Sequence, residues 1–555
     1  LDAIGRGAHL ISSHLSHWKL AAATGYLIAA FIFCRRDTGS RRPLLWYVGG
    51  MSLAVFLSQG TGHDLSQHLA YFDEAFLAWS RGQRAFLTER VFQGGGLPVF
   101  FFYSQWIYIP AALFRLFGAA PYFALKLSFA AVFAAQVLGA RVLVGFFRPE
   151  SERAAACVLL FAGSNYFAGE FFQRFAFAET MGYAACIWGL FFALRTIRLP
   201  ATRDVVALAF FLSVAVLLHP ISFAYFLLGA VPFLVFVARG RFGAAALASF
   251  ALAGAVCVCA TAFHWLPILI ERGEVTGSVM DFRDSFMGWG DYFSLSRFWS
   301  AGPVTAAAFV GSALLLLRGH PDRRAYGALA ACSVYLFMMN PASEPLHVSY
   351  LADSQLVWRM LSPLCLFTAI LAACVLPERG KDDPARTRLW HAAPILQSLI
   401  FLSISASPAI FLDGPPPGPA DFARRTEGVG VAEFLPPSIS RGPATFSAKV
   451  IRRTGSVRDE TFEIDPAPAG GEHGFPRASA PWLIWEAQGS ARVSRAGPDG
   501  RAVLALFPGD SSIRARLVVP TYMKVAHVAG GTLFAGMLLF LLFEALRIRG
   551  RIRLW

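Results

Sequence analysis

An α-helix needs roughly 20 apolar residues to cross a bilayer, and this 555-residue chain returns to runs of that kind from one end to the other. A hydrophobic fraction of 56%, with 52 Phe, excludes an ordinary soluble protein. The runs are therefore read as membrane helices. A formal charge of +14 would by itself suggest a nucleic-acid partner. The arginines, however, sit in short connectors between the runs: RRDTGSRR, FRPESER, RTIRLPATR, ARGR, RGHPDRR, PERGKDDPARTR and the tail RIRGRIR. Cytoplasmic loops of membrane proteins are enriched in Lys and Arg, so the basicity reports orientation and no nucleic acid is expected.

Walking the chain with that rule orders the runs. Residues 18–34 are followed, not preceded, by positive charge, which reads as a retained helix rather than a signal peptide. The run 43–60 returns to the outer face. Residues 99–117 and 121–146 are both long enough to cross, but two crossings would leave FRPESER outside. The first is therefore read as a helix in the outer interface, where Tyr103, Trp106 and Tyr108 suit the headgroup level. Runs near 154–171, 177–197, 204–219, 220–238, 242–267, 301–317, 325–341, 357–376, 389–411 and 523–546 then alternate direction. About thirteen crossings are expected, each roughly one span long.

Residues 412–522 interrupt the pattern. They open on DGPPPGPA and later alternate, with Phe462 and Ile464 against Glu463 and Asp465, and Ile513, Ala515, Leu517 and Val519 against Arg514 and Arg516. Period-two alternation predicts strands. The expected fold is thus an all-α polytopic membrane protein with a small β-rich extracytoplasmic domain. Residues 1–411 form the membrane module with interfacial helices at 61–118, 412–522 the outer domain, and 523–555 a last helix with a basic cytoplasmic tail.

All eight cysteines fall in or at the ends of apolar runs and are read as small buried hydrophobes. Neither Asn165 nor Asn340 begins a glycosylation sequon, which favours a bacterial inner (cytoplasmic) membrane. Ionisable groups at the bilayer centre cost roughly 2.5–3.5 kcal/mol, so those within apolar runs need a reason. Lys126, Glu170, Arg174, Glu179, His219, His264 and Arg359 all fall at the outer ends of their helices, level with His63, Asp64, His68 and Asp353. That convergence predicts an outward-facing polar cavity.

The segment GHDLSQH carries the sharpest chemistry. Asp64 and His68 are four residues apart and share one face of a helix. Each candidate also has a plainer role: a helix cap for Asp64, a turn histidine for His219, an ion pair for Arg174 with Glu179, and snorkelling for Lys126 and Arg359. His264 and Glu170 are read as structural. Asp73 and Glu74 are read as lying on a solvated helix face.

At these residues the chain resembles the bacterial polytopic membrane proteins known as 6-pyruvoyl-tetrahydropterin-synthase-related or YfhO-like, which belong with the GT-C glycosyltransferases. The matching passages, in order over most of the chain, are DLSQHLAYFDEAFLAWSRGQ (64–83), GGGLPVFFFYSQWIYIPAALFRLFG (94–118), ALKL (124–127), QRFAFAE (173–179), LLHPISF (217–223), DSQLVWR (353–359) and VAEFLPP (431–437). The resemblance implies a GT-C helical bundle with a catalytic Asp in its first outer loop, here Asp64. It implies a D-x-x-x-H pair in Asp64 and His68, an R-x-x-x-x-E pair in Arg174 and Glu179, and a W-R ending in Trp358 and Arg359. On such enzymes a polyprenyl-phosphate sugar donor meets a lipid-linked or glycan acceptor at the outer leaflet.

The expected function is an inverting glycosyltransferase with Asp64 as general base. His63, His68, Lys126, Arg174, Glu179, His219, Asp353 and Arg359 are expected around the substrates, with Arg174, Lys126 and Arg359 toward the phosphate. No metal ligand set is assigned; a divalent cation is the one candidate cofactor, and Asp64 lacks the neighbouring acid such a variant would use. Two rivals stand beside this reading. A transporter or flippase of a lipid-linked glycan should carry internal repeats and midplane charges, which this chain lacks. The other is a non-catalytic polysaccharide-assembly protein.

Overall fold

The computed structural model describes residues 42–57, 64–82, 99–148, 151–240, 243–271, 285–318 apart from 298, 322–350, 356–375, 392–400 apart from 399, most residues of the strands between 450 and 517, and 520–552. His63, Asp353, the predicted helix 18–34, most of the predicted run 389–411 and residues 412–449 of the expected outer domain lie outside the described residues.

Helices dominate the first part of the chain: α1 (Arg42–Leu57), α2 (Leu65–Ser80), α3 (Ile109–Leu116), α4 (Pro121–Phe147), α5 (Ser151–Ala162), α6 (Asn165–Gly169), α7 (Phe177–Arg198), α8 (Thr202–Leu218), α9 (Pro220–Ala238) and α10 (Ala244–Glu271). They are followed by α11 (Trp289–Phe293), α12 (Pro303–Leu317), α13 (Arg323–Met338), α14 (Glu344–Tyr350), α15 (Leu361–Val375) and, after the strands, α16 (Thr521–Ile552). Proline fixes several starts. Pro121, Pro220 and Pro303 stand in the first turns of α4, α9 and α12, where a missing N–H costs nothing.

Six helices are long and apolar enough to cross a membrane, or seven if Ala154–Ala162 and Asn165–Phe172, bent by 54°, form one broken span. The expected thirteen crossings are not reached among the described residues. Two of the expected runs, 18–34 and most of 389–411, lie outside the described residues, and α1, α8, α12 and α13 have 16, 17, 15 and 16 residues, short of the roughly 20 that a perpendicular crossing needs. The region 99–117 also differs from the single interfacial helix expected. Val99–Phe102 is one turn, Gln105–Tyr108 a 3-10 turn, and only Ile109–Leu116 is a regular helix. Its exposed side chains, Ile109, Leu113, Leu116 and Phe117, recur at helical spacing and form an apolar stripe.

The centre of the bundle is Val357–Val375 and α7, whose apolar windows are 89% and 83% buried, against 17% for α16. Close helix approach rests on glycine where it matters most. A Cβ on Gly229 in α9 would stand 2.4 Å from the Tyr335 ring of α13, and the Tyr335 hydroxyl donates to the Phe226 carbonyl at 2.7 Å. The break between α5 and α6 is satisfied by side chains, as a break within a membrane helix has to be. Gln397 Nε2 donates to the Gly163 carbonyl at 2.9 Å, and Ser164 caps α6 through the Phe167 N–H.

The helices have chemically different ends. α7 begins with Glu179 in its first turn and finishes in Arg195 and Arg198. Short turns then send α8 back from Arg203 and Asp204 to His219, and α9 out again from Pro220 to Arg239. Glu179 and His219 thus stand at one end of these helices, and Arg195, Arg198, Arg203 and Arg239 at the other.

Between residues 450 and 517 the alternating segments form antiparallel sheets, as their pattern predicts: five strands in the order β1-β2-β8-β4-β5 and three in the order β3-β7-β6. Their ranges are β1 Val450–Ser456, β2 Asp459–Ile464, β3 Gly471–Ala478, β4 Leu483–Ala487, β5 Ser490–Arg492, β6 Ser494–Ala496, β7 Arg501–Leu506 and β8 Ser512–Leu517. Phe462 pairs with Ile513 across β2 and β8. Phe462, Ile513 and Ala515 are buried while Glu463, Arg514 and Arg516 face out, so the period of two sets this register.

Candidate active site

Asp64 stands at the N-cap position of α2, but its carboxylate makes no capping bond. It turns instead to Arg174, whose Nε lies 3.2 Å from Asp64 Oδ2. The Asp64 N–H donates to the Arg174 carbonyl at 3.1 Å, so backbone and side chain of the two residues are tied together. This excludes the plainer reading of Asp64 as a helix cap.

Arg174 is delivered by an unusual piece of chain. Residues Glu170–Arg174 form a π-helical turn, and Phe175 after it takes a left-handed backbone, φ 60°. Left-handed backbone costs an L-residue roughly 1–2 kcal/mol. Leu356 at φ 52° is the other non-glycine with positive φ among the described residues, and it caps the 3-10 turn Val357–Met360 that carries Arg359. Both strained positions flank a site arginine. Strain of this sort persists only where surroundings enforce it and concentrates at functional sites.

Around Arg174 the charges form a buried network. Its Nη1 donates to Glu179 Oε2 at 2.7 Å and to Glu170 Oε1 at 3.3 Å. Arg359 Nε approaches the same Glu179 oxygen at 3.1 Å, and the Tyr166 hydroxyl donates to Glu179 Oε1 at 2.5 Å. The Trp358 ring lies 5.1 Å from the Arg174 guanidinium carbon, a cation–π distance. The Tyr183 hydroxyl holds the Arg359 carbonyl at 2.9 Å. Within this cluster Asp64 is the most exposed member, at 28% of its side chain, against 2–10% for its charged neighbours.

Beside the charges lies an aromatic wall. His68 shares a hydrogen bond with the Tyr108 hydroxyl at 3.0 Å and packs among Tyr103, Phe175 and Phe177. Its backbone N–H donates to the Asp64 carbonyl at 2.9 Å, but its ring does not bond the Asp64 carboxylate. α2 is not one of the spanning helices, and burial lowers His68 from 6.5 to about 4, with Asp64 acting upward and Arg174 downward. The imidazole is neutral at physiological pH. Burial and then Asp64 raise the Tyr103 phenol well above its ordinary range, so it stays a proton donor within electrostatic reach of Asp64, Arg359 and Arg174.

The remaining expected site residues fall into three groups. Lys126 is buried, its ammonium 5.6 Å from the centre of the Phe175 ring, one aromatic ring away from Arg174. His219 works as a cap: its Nδ1 accepts from the Ser222 N–H at 3.1 Å, beneath Gly182, where a Cβ would stand 2.9 Å from His219 Cβ. His63 and Asp353 lie outside the described residues. Glu170, read as structural, is paired to Arg174 within the charge network. One expectation needs correction: Glu74 is buried rather than solvated, because α2 is packed into the bundle instead of lying free on its surface.

Tyr103, Tyr108, Tyr166 and Glu170 join the site without having been singled out for it. The two interfacial tyrosines were legible as polar-tipped aromatics, yet no spacing rule ties residues 103 and 108 to residue 68. Among the described residues no group of three His, Cys, Asp or Glu side chains is arranged to hold a metal ion. Asp64, Glu170 and Glu179 do converge, but on the Arg174 guanidinium, which fills the place a cation would take.

No family model matches this chain. No curated protein matches it either. Among solved structures it is similar to the arabinofuranosyltransferase AftD from Mycobacteria, determined by single-particle cryo-EM, with a TM-score of 0.45 and 17% identity over 68% of this chain. The match spans 28% of that longer protein. At that level of likeness neither architecture nor activity transfers from one protein to the other.

Proposed function

We propose that this protein is a membrane glycosyltransferase of the GT-C type, taking a sugar from a polyprenyl-phosphate donor to a glycan or lipid-linked acceptor. The observation that carries the reading is the network itself: one partly exposed carboxylate fixed to a buried guanidinium at one end of a helical bundle. A charge cluster at this depth is costly and is seldom kept for stability alone. The arginine-rich opposite ends support an outward-facing site by the positive-inside rule.

In this mechanism Asp64 removes the proton from the acceptor hydroxyl. The oxygen attacks the anomeric carbon from the side opposite the phosphate, the new C–O bond forms as the C–O bond to phosphate breaks, and the configuration inverts. The polyprenyl phosphate leaves as an anion that needs charge stabilisation more than a proton. Arg359 supports that role better than Arg174, because it has one carboxylate partner among the described residues where Arg174 has three. Charge-assisted hydrogen bonds to such an anion are roughly twice as strong as neutral ones. Tyr103, protonated and beside Asp64, offers a donor to a sugar hydroxyl.

Sealed vesicles from producing cells, given a radiolabelled polyprenyl-phosphate sugar, test this directly. Label appearing on an acceptor that prenyl extraction does not remove supports transfer. Label that crosses the bilayer still attached to its lipid supports the transporter reading instead.

A further inference from the structure

We infer that Arg174 is a positioning residue that acts through Asp64, leaving contact with the donor's phosphate to other cations. The inference rests on the transferase reading and divides the labour between its two arginines.

Two of the three guanidinium nitrogens of Arg174 are committed to carboxylates. Nε faces Asp64 at 3.2 Å, and Nη1 serves Glu179 and Glu170 at 2.7 and 3.3 Å. One guanidinium therefore holds three carboxylates, while the Trp358 ring lies beside it. Its backbone is held as well: the Asp64 N–H bonds the Arg174 carbonyl, and the Phe175 N–H bonds the Glu170 carbonyl to close the π turn. A rigid fork of N–H donors is suited to fixing the angle of a carboxylate, which a flexible ammonium cannot do. Arg359 contrasts with it. Among the described residues its carboxylate partner is Glu179, at 3.1 Å from Nε, and no other carboxylate of the cluster holds its terminal nitrogens. Glu179 joins the two, receiving both guanidiniums on the same Oε2 atom. That shared oxygen sets Arg359 relative to Asp64 through Arg174, so the base and the anion-binding group are built as one unit.

The test compares Arg174→Gln, Arg174→Lys and Arg359→Gln in full-length protein in lipid nanodiscs, using undecaprenyl phosphate as the binding probe and sugar transfer by producing-cell membranes as the activity. Arg174→Gln should bind undecaprenyl phosphate within about threefold of wild type, since it removes no phosphate ligand. Its transfer should fall about 10²-fold, the cost of a misplaced catalytic group. The loss should fall on kcat, with KM near wild type, because a misdirected base slows the chemical step and leaves donor binding in place. Arg174→Lys restores charge without the rigid fork, so its probe binding should match wild type while kcat stays low. Arg359→Gln should weaken probe binding about tenfold or more. Equal loss of probe binding in Arg174→Gln and Arg359→Gln would overturn the inference, as would full transfer by Arg174→Gln. If Arg174→Gln does not fold, Arg174→Lys carries the same binding and rate comparison. Failure of the underlying transferase reading is separate: wild-type protein would then bind the probe and transfer nothing.

Discussion

The two ends of the helical bundle use the same pair of side chains to opposite effect. At one end Arg174 and Arg359 meet Asp64, Glu170 and Glu179 in a buried cluster sealed by Tyr166, Tyr183 and Trp358. At the other, Arg195 pairs with Asp204 at 3.0 Å and Arg324 with Asp322 at 2.7 Å, with arginine side chains 36% and 42% exposed. The Arg324–Asp322 pair gains little because water reaches both charges, whereas Asp204 is itself buried and only its arginine reaches water. Buried pairs have lost that solvation, so each partner depends on the other. The far end reads as an orientation signal made of arginines. The near end is a site, and its strained residues Phe175 and Leu356 have no counterpart among the described residues at the far end.

The largest expected effect lies at the shared acid. Glu179→Ala strips the buried Arg359 of its carboxylate partner among the described residues, takes one of three from Arg174 and removes the acceptor of Tyr166, and should cost about 3–5 kcal/mol of stability. A fall in thermal midpoint in nanodiscs measures it, and a change no larger than that of a far-end variant would break the comparison.

Acid should separate the ends next. His68 ionises at 6.5 when unfolded and at about 4 when folded, so below pH 6.5 the unfolded chain binds the extra proton. Stability is therefore lost as pH falls from about 6.5 to about 4, by about 3 kcal/mol for this group alone. His68→Phe should flatten the midpoint-versus-pH curve in that window. An unchanged slope would place the acid sensitivity elsewhere.

The smallest effect belongs to the far end. Arg324→Ala removes a half-exposed ion pair and should change stability by less than about 1 kcal/mol. A loss as large as that of Glu179→Ala would mean that the two ends are not energetically different.

Much of this was legible from residues alone. The helices at 177–198, 202–218 and 220–238 follow from uninterrupted apolar runs bounded by arginines and Pro220. The alternation of Phe462, Ile513 and Ala515 revealed the sheets. Asp64, Arg174, Glu179 and Arg359 were all expected on one side, because buried charge demands partners. What escaped was set by tertiary packing. Nothing local distinguishes an α-helical from a π-helical Glu170–Arg174, and that extra residue per turn decides where Arg174 points. His68 has the right spacing to orient Asp64, yet the aromatic wall gives its ring to Tyr108, forty residues away. The number of crossings also escaped, since apolar composition shows which segments prefer lipid but not where each helix ends.

Sugar transfer by Asp64→Asn tests the central claim most directly, because the substitution keeps the shape and removes the base. Transfer should fall about 10²–10⁴-fold, while expression, thermal midpoint and undecaprenyl phosphate binding stay near wild type. Asp64→Asn protein that folds, binds the probe and keeps more than about a tenth of wild-type turnover would contradict the account.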